Sequence, residues 1–84
     1  MMTKEKIFEQ RVGEIANEIT WLKGEVKVIE YSKGYIDGRL PNGSFFIISF
    51  NNEYEVKISV SKYGLHQCLI PIDKIKVLLR QLSK

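Results

Sequence analysis

Eighty-four residues with a net charge of +3, 44% of them hydrophobic and 11% aromatic, make one globular domain spanning 1–84 rather than a disordered chain. A chain this short buries only about 60–65% of the surface it exposes when unfolded, which argues against a deep pocket for a small-molecule substrate or cofactor. The single cysteine, Cys68, excludes an internal disulfide, so the fold must stand on its core, as suits a reducing, cytoplasmic setting.

Met1 to Lys6 lead straight into an amphipathic pattern, without an apolar signal segment, and no apolar run approaches the roughly 18 residues of a membrane span. Eleven isoleucines and ten lysines hint at an A/T-rich bacterial or phage genome. The mild basicity does not by itself imply nucleic acid, because a dedicated binder gathers its charge on one face.

Residues 3–23 read as a helix. Phe8, Val12, Ile15, Ile19 and Leu22 form one apolar stripe, with Thr3 as N-cap and Gly24 as stop. Four strands follow, over 25–31, 35–40, 44–50 and 54–60. The first two turns, Ser32-Lys33-Gly34 and Pro41-Asn42-Gly43, end in glycine, as a type I turn closed by a left-handed residue requires; Asn51-Asn52-Glu53 forms the third. Loops this short force antiparallel neighbours. Residues 61–70 read as a loop with a short extended piece. Pro71 opens a second helix with Ile72, Ile75, Leu78, Leu79 and Leu82 as its stripe. The expected fold is α+β, a four-stranded antiparallel meander with an N-terminal and a C-terminal helix (α-β-β-β-β-α).

Three-residue turns would pair Tyr31 with Tyr35, Leu40 with Ser44 and Phe50 with Tyr54, and alternation then sorts the side chains. Val26, Val28, Ile36, Leu40, Phe46, Ile48, Phe50, Tyr54, Val56, Ile58 and Val60 fall on a core face, where Glu30 also lands beside Ile36. The other face is half polar, with Asp37, Ser49, Glu55 and Ser59, yet it carries an apolar cluster of Ile29, Tyr31, Tyr35, Phe45 and Ile47, surrounded by Lys27, Arg39 and Lys57. A contiguous apolar patch on a sheet usually gets covered. The candidates are one of the helices, a protein partner or a second copy of the chain, and a nucleic acid stacking on the aromatics. The cationic rim would favour an acidic partner. Trp21 sits off the first helix's stripe, to fold over the helix end onto the sheet edge or else stand as an exposed anchor for a partner.

Catalytic chemistry is sparse. His66 and Cys68 cannot close a zinc site that needs three or four protein ligands, and their spacing does not guarantee the contact of a nucleophile pair. Glu5, Glu9, Glu14 and Glu18 read as a solvated helix face. Gly38 to Ser44 has the glycine spacing of a phosphate loop but lacks its lysine and following helix. Lys74, Lys76, Arg80 and Lys84 on the second helix could touch phosphates, or simply favour the helix dipole. The helix–strands–helix order is similar to that of double-stranded-RNA-binding domains. The fourth strand, the absence of a dense lysine cluster at the second helix and the position of His66 separate the two, and no family is assigned.

These observations point to a non-enzymatic binding module without metal or cofactor, acting by protein–protein contact. A small accessory or inhibitory protein of a bacterium or its phage would have this character. Nucleic-acid binding, through the aromatic face or the basic helix, is the alternative. The glycine-closed turns carry the first prediction. Gly43→Val is expected to cost about 1–2 kcal/mol, because a β-branched residue strains a left-handed position. A variant that melts at the wild-type temperature would show that this turn and its register are wrong.

Overall fold

Thr3 caps the first helix, its Oγ1 accepting a hydrogen bond from the Lys6 amide at 3.2 Å. The computed structural model describes the backbone of residues 3–61 and 65–84, and the side chains of residues 3–61 and 68–84. Helix α1 spans Lys4–Trp21 and buries Phe8, Val12, Ile15 and Ile19. It ends in a Schellman motif: the Lys23 amide bonds to Thr20 O at 3.0 Å and the Gly24 amide to Ile19 O at 2.8 Å. The left-handed residue is Lys23 (φ 73°), not the expected Gly24. Gly24 serves proximity instead, since a Cβ there would crowd the Ile19 side chain and the Arg39 carbonyl.

The strands are β1 (Glu25–Glu30), β2 (Tyr35–Arg39), β3 (Phe45–Phe50), β4 (Glu55–Val60) and β5 (Leu65–Pro71). They pair antiparallel in sequence order, β1-β2-β3-β4-β5. A 3₁₀ turn, Ile72–Lys74, leads into α2, Ile75–Leu82. The fold is therefore a small α+β meander with a helix at each end, as expected, but its sheet has a fifth strand.

Only a short extended piece is legible over 61–70, because the apolar residues of β5 do not alternate. The pairing explains this. Ile58 faces Cys68 and Val60 faces Leu65, so β5 holds one residue more than β4 over that stretch. An extra residue breaks the period of two. The same device reshapes β1. Val26 faces Gly38 while Val28 faces Asp37, leaving Lys27 as the bulged residue. Beyond it the faces exchange: Val28 turns outward, Ile29 joins the core side and Glu30 pairs with Tyr35 on the outer side. Gly38 permits the bulge, because a Cβ there would collide with the Glu25 carbonyl oxygen.

Two turn registers also differ from expectation. Glu30, not Tyr31, pairs with Tyr35, so Tyr31 belongs to a four-residue turn closed by the Gly34 amide on Tyr31 O at 3.2 Å. Phe50 pairs with Val56, moving the third turn to 52–54. The Asn52 side-chain oxygen organises it, accepting from the amides of Tyr54 (2.8 Å) and Glu55 (3.0 Å). Tyr54 therefore leaves the core and stands 77% exposed. The shift is by two residues, so the faces of β4 survive. The β2–β3 turn is as read, with Leu40 bonded to Ser44 O at 2.8 Å and Gly43 at φ 90°.

Both helices lie on one face of the sheet. Val12, Ile15 and Ile19 of α1, Ile75 and Leu79 of α2, and Ile72 share a single core with Ile36, Leu40, Phe46, Ile48, Val56, Ile58 and Val60. Phe8 meets Phe50 edge to face, ring centroids 5.1 Å apart. Asn42 in the β2–β3 turn donates to Leu82 O at 2.6 Å and so pins the end of α2. The sheet edges are blunted: β1 by its bulge, Glu25, Lys27 and Glu30, and β5 by its extra residue and Pro71, which has no N–H.

The bulge supplies the second prediction. Gly38→Ala is expected to cost on the order of 2–3 kcal/mol through the enforced clash. Thermal melting checks it, with an expected fall of about 10 °C or more. An unchanged melting temperature would mean that β1 does not depend on this close approach.

Candidate interaction surfaces

With both helices on one side, the other sheet face has no helix over it. Its side chains follow cross-strand rows. One row runs Glu25, Arg39 and Phe45; the next Val28, Asp37, Ile47 and Ser59; the third Glu30, Tyr35, Ser49, Lys57 and Leu69. Phe45 is 51% exposed and Ile47 47%, and Val28 and Leu69 are comparably open. The Arg39 guanidinium lies 4.6 Å from the centroid of the Phe45 ring and Lys27 Nζ lies 5.7 Å away, so two cations hold this aromatic from the rim.

Of the expected cluster, Tyr35, Phe45 and Ile47 are brought together, with Lys27, Arg39 and Lys57 around them. Ile29 is not, because the bulge turns it inward, and Val28 takes its place. Tyr31 sits in the turn at the face's upper end. Leu69 was missed with β5. The one sequence signal for the exchange was the apolar Val28-Ile29 pair opposite a strand glycine, Gly38.

The electrostatics differ from the expected cationic rim. Among the described residues the face holds three cations, Lys27, Arg39 and Lys57, against four carboxylates, Glu25, Glu30, Asp37 and Glu55. Asp37 accepts a 2.6 Å hydrogen bond from the Tyr35 hydroxyl. That bond, then desolvation and the nearby carboxylate charges, raises the Tyr35 pKa above its ordinary value. The balance favours neither an acidic partner nor a nucleic acid.

A second surface lies between the helices. Glu18, expected on a solvated face, is 8% exposed and accepts from Arg80 Nε at 2.7 Å. The Arg80 guanidinium in turn lies 5.5 Å from the Trp21 ring centroid, and Trp21 remains 69% exposed. The tryptophan is thus an exposed aromatic braced by an anchored arginine, not a cover for the sheet edge. Glu14, Asn17, Glu18, Trp21, Lys76 and Arg80 line the groove here, about 380 Å³ in volume. Lys74 and Lys76 stand exposed on the second helical segment with Asp73, and Lys84 at its end offers its carbonyl to Asn42 at 3.4 Å. The basic residues are therefore interleaved with Glu14, Glu18 and Asp73 rather than gathered into one stripe.

Among the described residues no group of three or more His, Cys, Asp or Glu side chains could hold a metal ion. Cys68 is half-buried against the core, and the side chain of His66 lies outside the described residues. No described helix is long and apolar enough to cross a membrane. No family model, curated protein or solved structure matches the chain.

The Glu18–Arg80 pair generates the third prediction. Arg80→Ala leaves a buried carboxylate without its donor and is expected to cost about 1–3 kcal/mol. Urea unfolding, followed by emission of the sole tryptophan, reads both the lost stability and the altered surroundings of Trp21. Glu18→Leu combined with Arg80→Met should recover most of the loss. An Arg80→Ala variant as stable as the wild type would show that the pair is not structural.

Proposed function

We propose that this protein is a small non-enzymatic binding module that works by protein–protein contact through the bare face of its sheet. One observation carries the reading. Phe45 and Ile47, on the middle strand of five, stay half exposed because both helices pack on the opposite side. Covering the rest of each side chain contributes about 1 kcal/mol, half the value of full burial. The rigid sheet presents them already ordered, so little side-chain entropy opposes contact. The mixed charges around them supply the polar rim of an interface. A size this small suits an accessory or inhibitory partner of a larger protein.

Selection of peptides from a random display library on the immobilised protein tests this. The double variant Phe45→Ser/Ile47→Ser is expected to fold and to bind the selected peptides at least tenfold more weakly, about 1.4 kcal/mol. Unfolding of the double variant would show that these side chains are internal core. Equal binding by a folded variant would place the contact elsewhere, and binding of single- or double-stranded nucleic acid lost with Lys76 and Arg80 would replace this reading by the nucleic-acid one.

A further inference from the structure

Resting on that reading, we infer that the occupant of the bare face is a second copy of the chain, packed sheet to sheet about a two-fold axis running along β3. The outward side chains of β3 are Phe45, Ile47 and Ser49, none of them charged. Each flanking strand offers one acid and one base on this face: Asp37 and Arg39 on β2, Glu55 and Lys57 on β4. An axis along β3 lays the uncharged strand against itself. It lays β2 of one copy across β4 of the other, so each strand of mixed sign meets another. A surface that must match itself across a two-fold needs this arrangement.

Charge supports the same occupant. The chain carries +3, whereas the strand residues of this face contribute three cations and four carboxylates, and Lys33, 3.8 Å from Glu30, brings the face to neutrality. The remaining surface therefore carries the net positive charge, and two copies repel each other least across this face. Strand addition is a poor alternative, because bulges, charges and Pro71 interrupt both edges. Face-to-face packing of twisted sheets needs no free edge.

Area sets the strength. Five strands about 4.8 Å apart and about six residues long at roughly 3.3 Å each give a footprint of about 24 by 20 Å. Two such faces bury on the order of 1,000 Å², the low end for specific association, so the dimer is weak and concentration-dependent. Trp21 and its groove lie on the helical side and stay outside this contact.

Sedimentation velocity from about 1 µM to about 1 mM tests the inference, with a monomer–dimer midpoint expected in the tens to hundreds of micromolar, the regime of small interfaces. Ile47→Lys, which sets two like charges together on the axis, should weaken the dimer at least tenfold, while Trp21→Ala should leave it unchanged. In a Cys68→Ser background, Ile47→Cys should be joined into a dimer by a short bis-maleimide crosslinker that spans the gap of about 10 Å between facing sheets, whereas Leu69→Cys, far from the axis, should not. A chain monomeric at 1 mM overturns the inference but not the reading of the face, which the peptide selection tests separately. A dimer that survives Ile47→Lys and is broken by Leu69→Lys would also overturn it, by moving the contact to the β5 edge.

Discussion

One row of side chains crosses the whole sheet and the rest of the molecule is arranged around it. Ile29, Ile36, Ile48, Ile58 and Cys68 are cross-strand neighbours in turn, one from each strand. Ile36, Ile48 and Ile58 are fully buried, each contributing about 1.5–3 kcal/mol by removal from water. Both helices close over this side. A one-residue slip of any strand would turn its member of the row toward solvent, so the row holds every register at once. It also shows what the bulge in β1 does: a regular ladder would set Val28 opposite Ile36, and the extra residue sets Ile29 there instead.

The parts of the fold legible in the sequence are those that local chemistry decides. The α1 stripe, the Thr3 cap, the glycine-closed β2–β3 turn and the alternation of β3 and β4 all follow from spacing. What escaped depends on partners distant along the chain or on an extra residue. Strict alternation cannot register a bulge, so Val28, Ile29 and Glu30 were assigned to the wrong faces and only a short extended piece of β5 was legible. Glu18 looked like any other helix carboxylate, because the Arg80 that buries it lies 62 residues away. Of the candidate site, Phe45, Ile47, Tyr35 and the three cations were found; the carboxylates that balance them were only partly seen, since Glu30 reaches the face through the bulge.

The bare sheet face follows from the number of helices. The chain supplies two apolar stripes, and both match the aliphatic side of the sheet. Among the described residues nothing comparable remains for the side bearing Phe45 and Ile47. That side mixes charged groups with the half-exposed Phe45 and Ile47. The braced Trp21 on the helical side is a second ordered aromatic, built on a different principle. It is held by the pairing of a half-exposed arginine with a buried glutamate between the helices, not by a sheet.

The meander has a kinetic corollary. Every strand pairs with its neighbour in the chain, so the sheet can assemble by closing short loops, which costs little entropy. The long-range ties are different: Asn42 to Leu82 spans 40 residues and Glu18 to Arg80 spans 62. Short-range pairing of this kind favours rapid folding. The C-terminal helix is then the natural last piece to dock. A chain emerging from the ribosome would hold its aliphatic row open on that side until α2 has been made and docks.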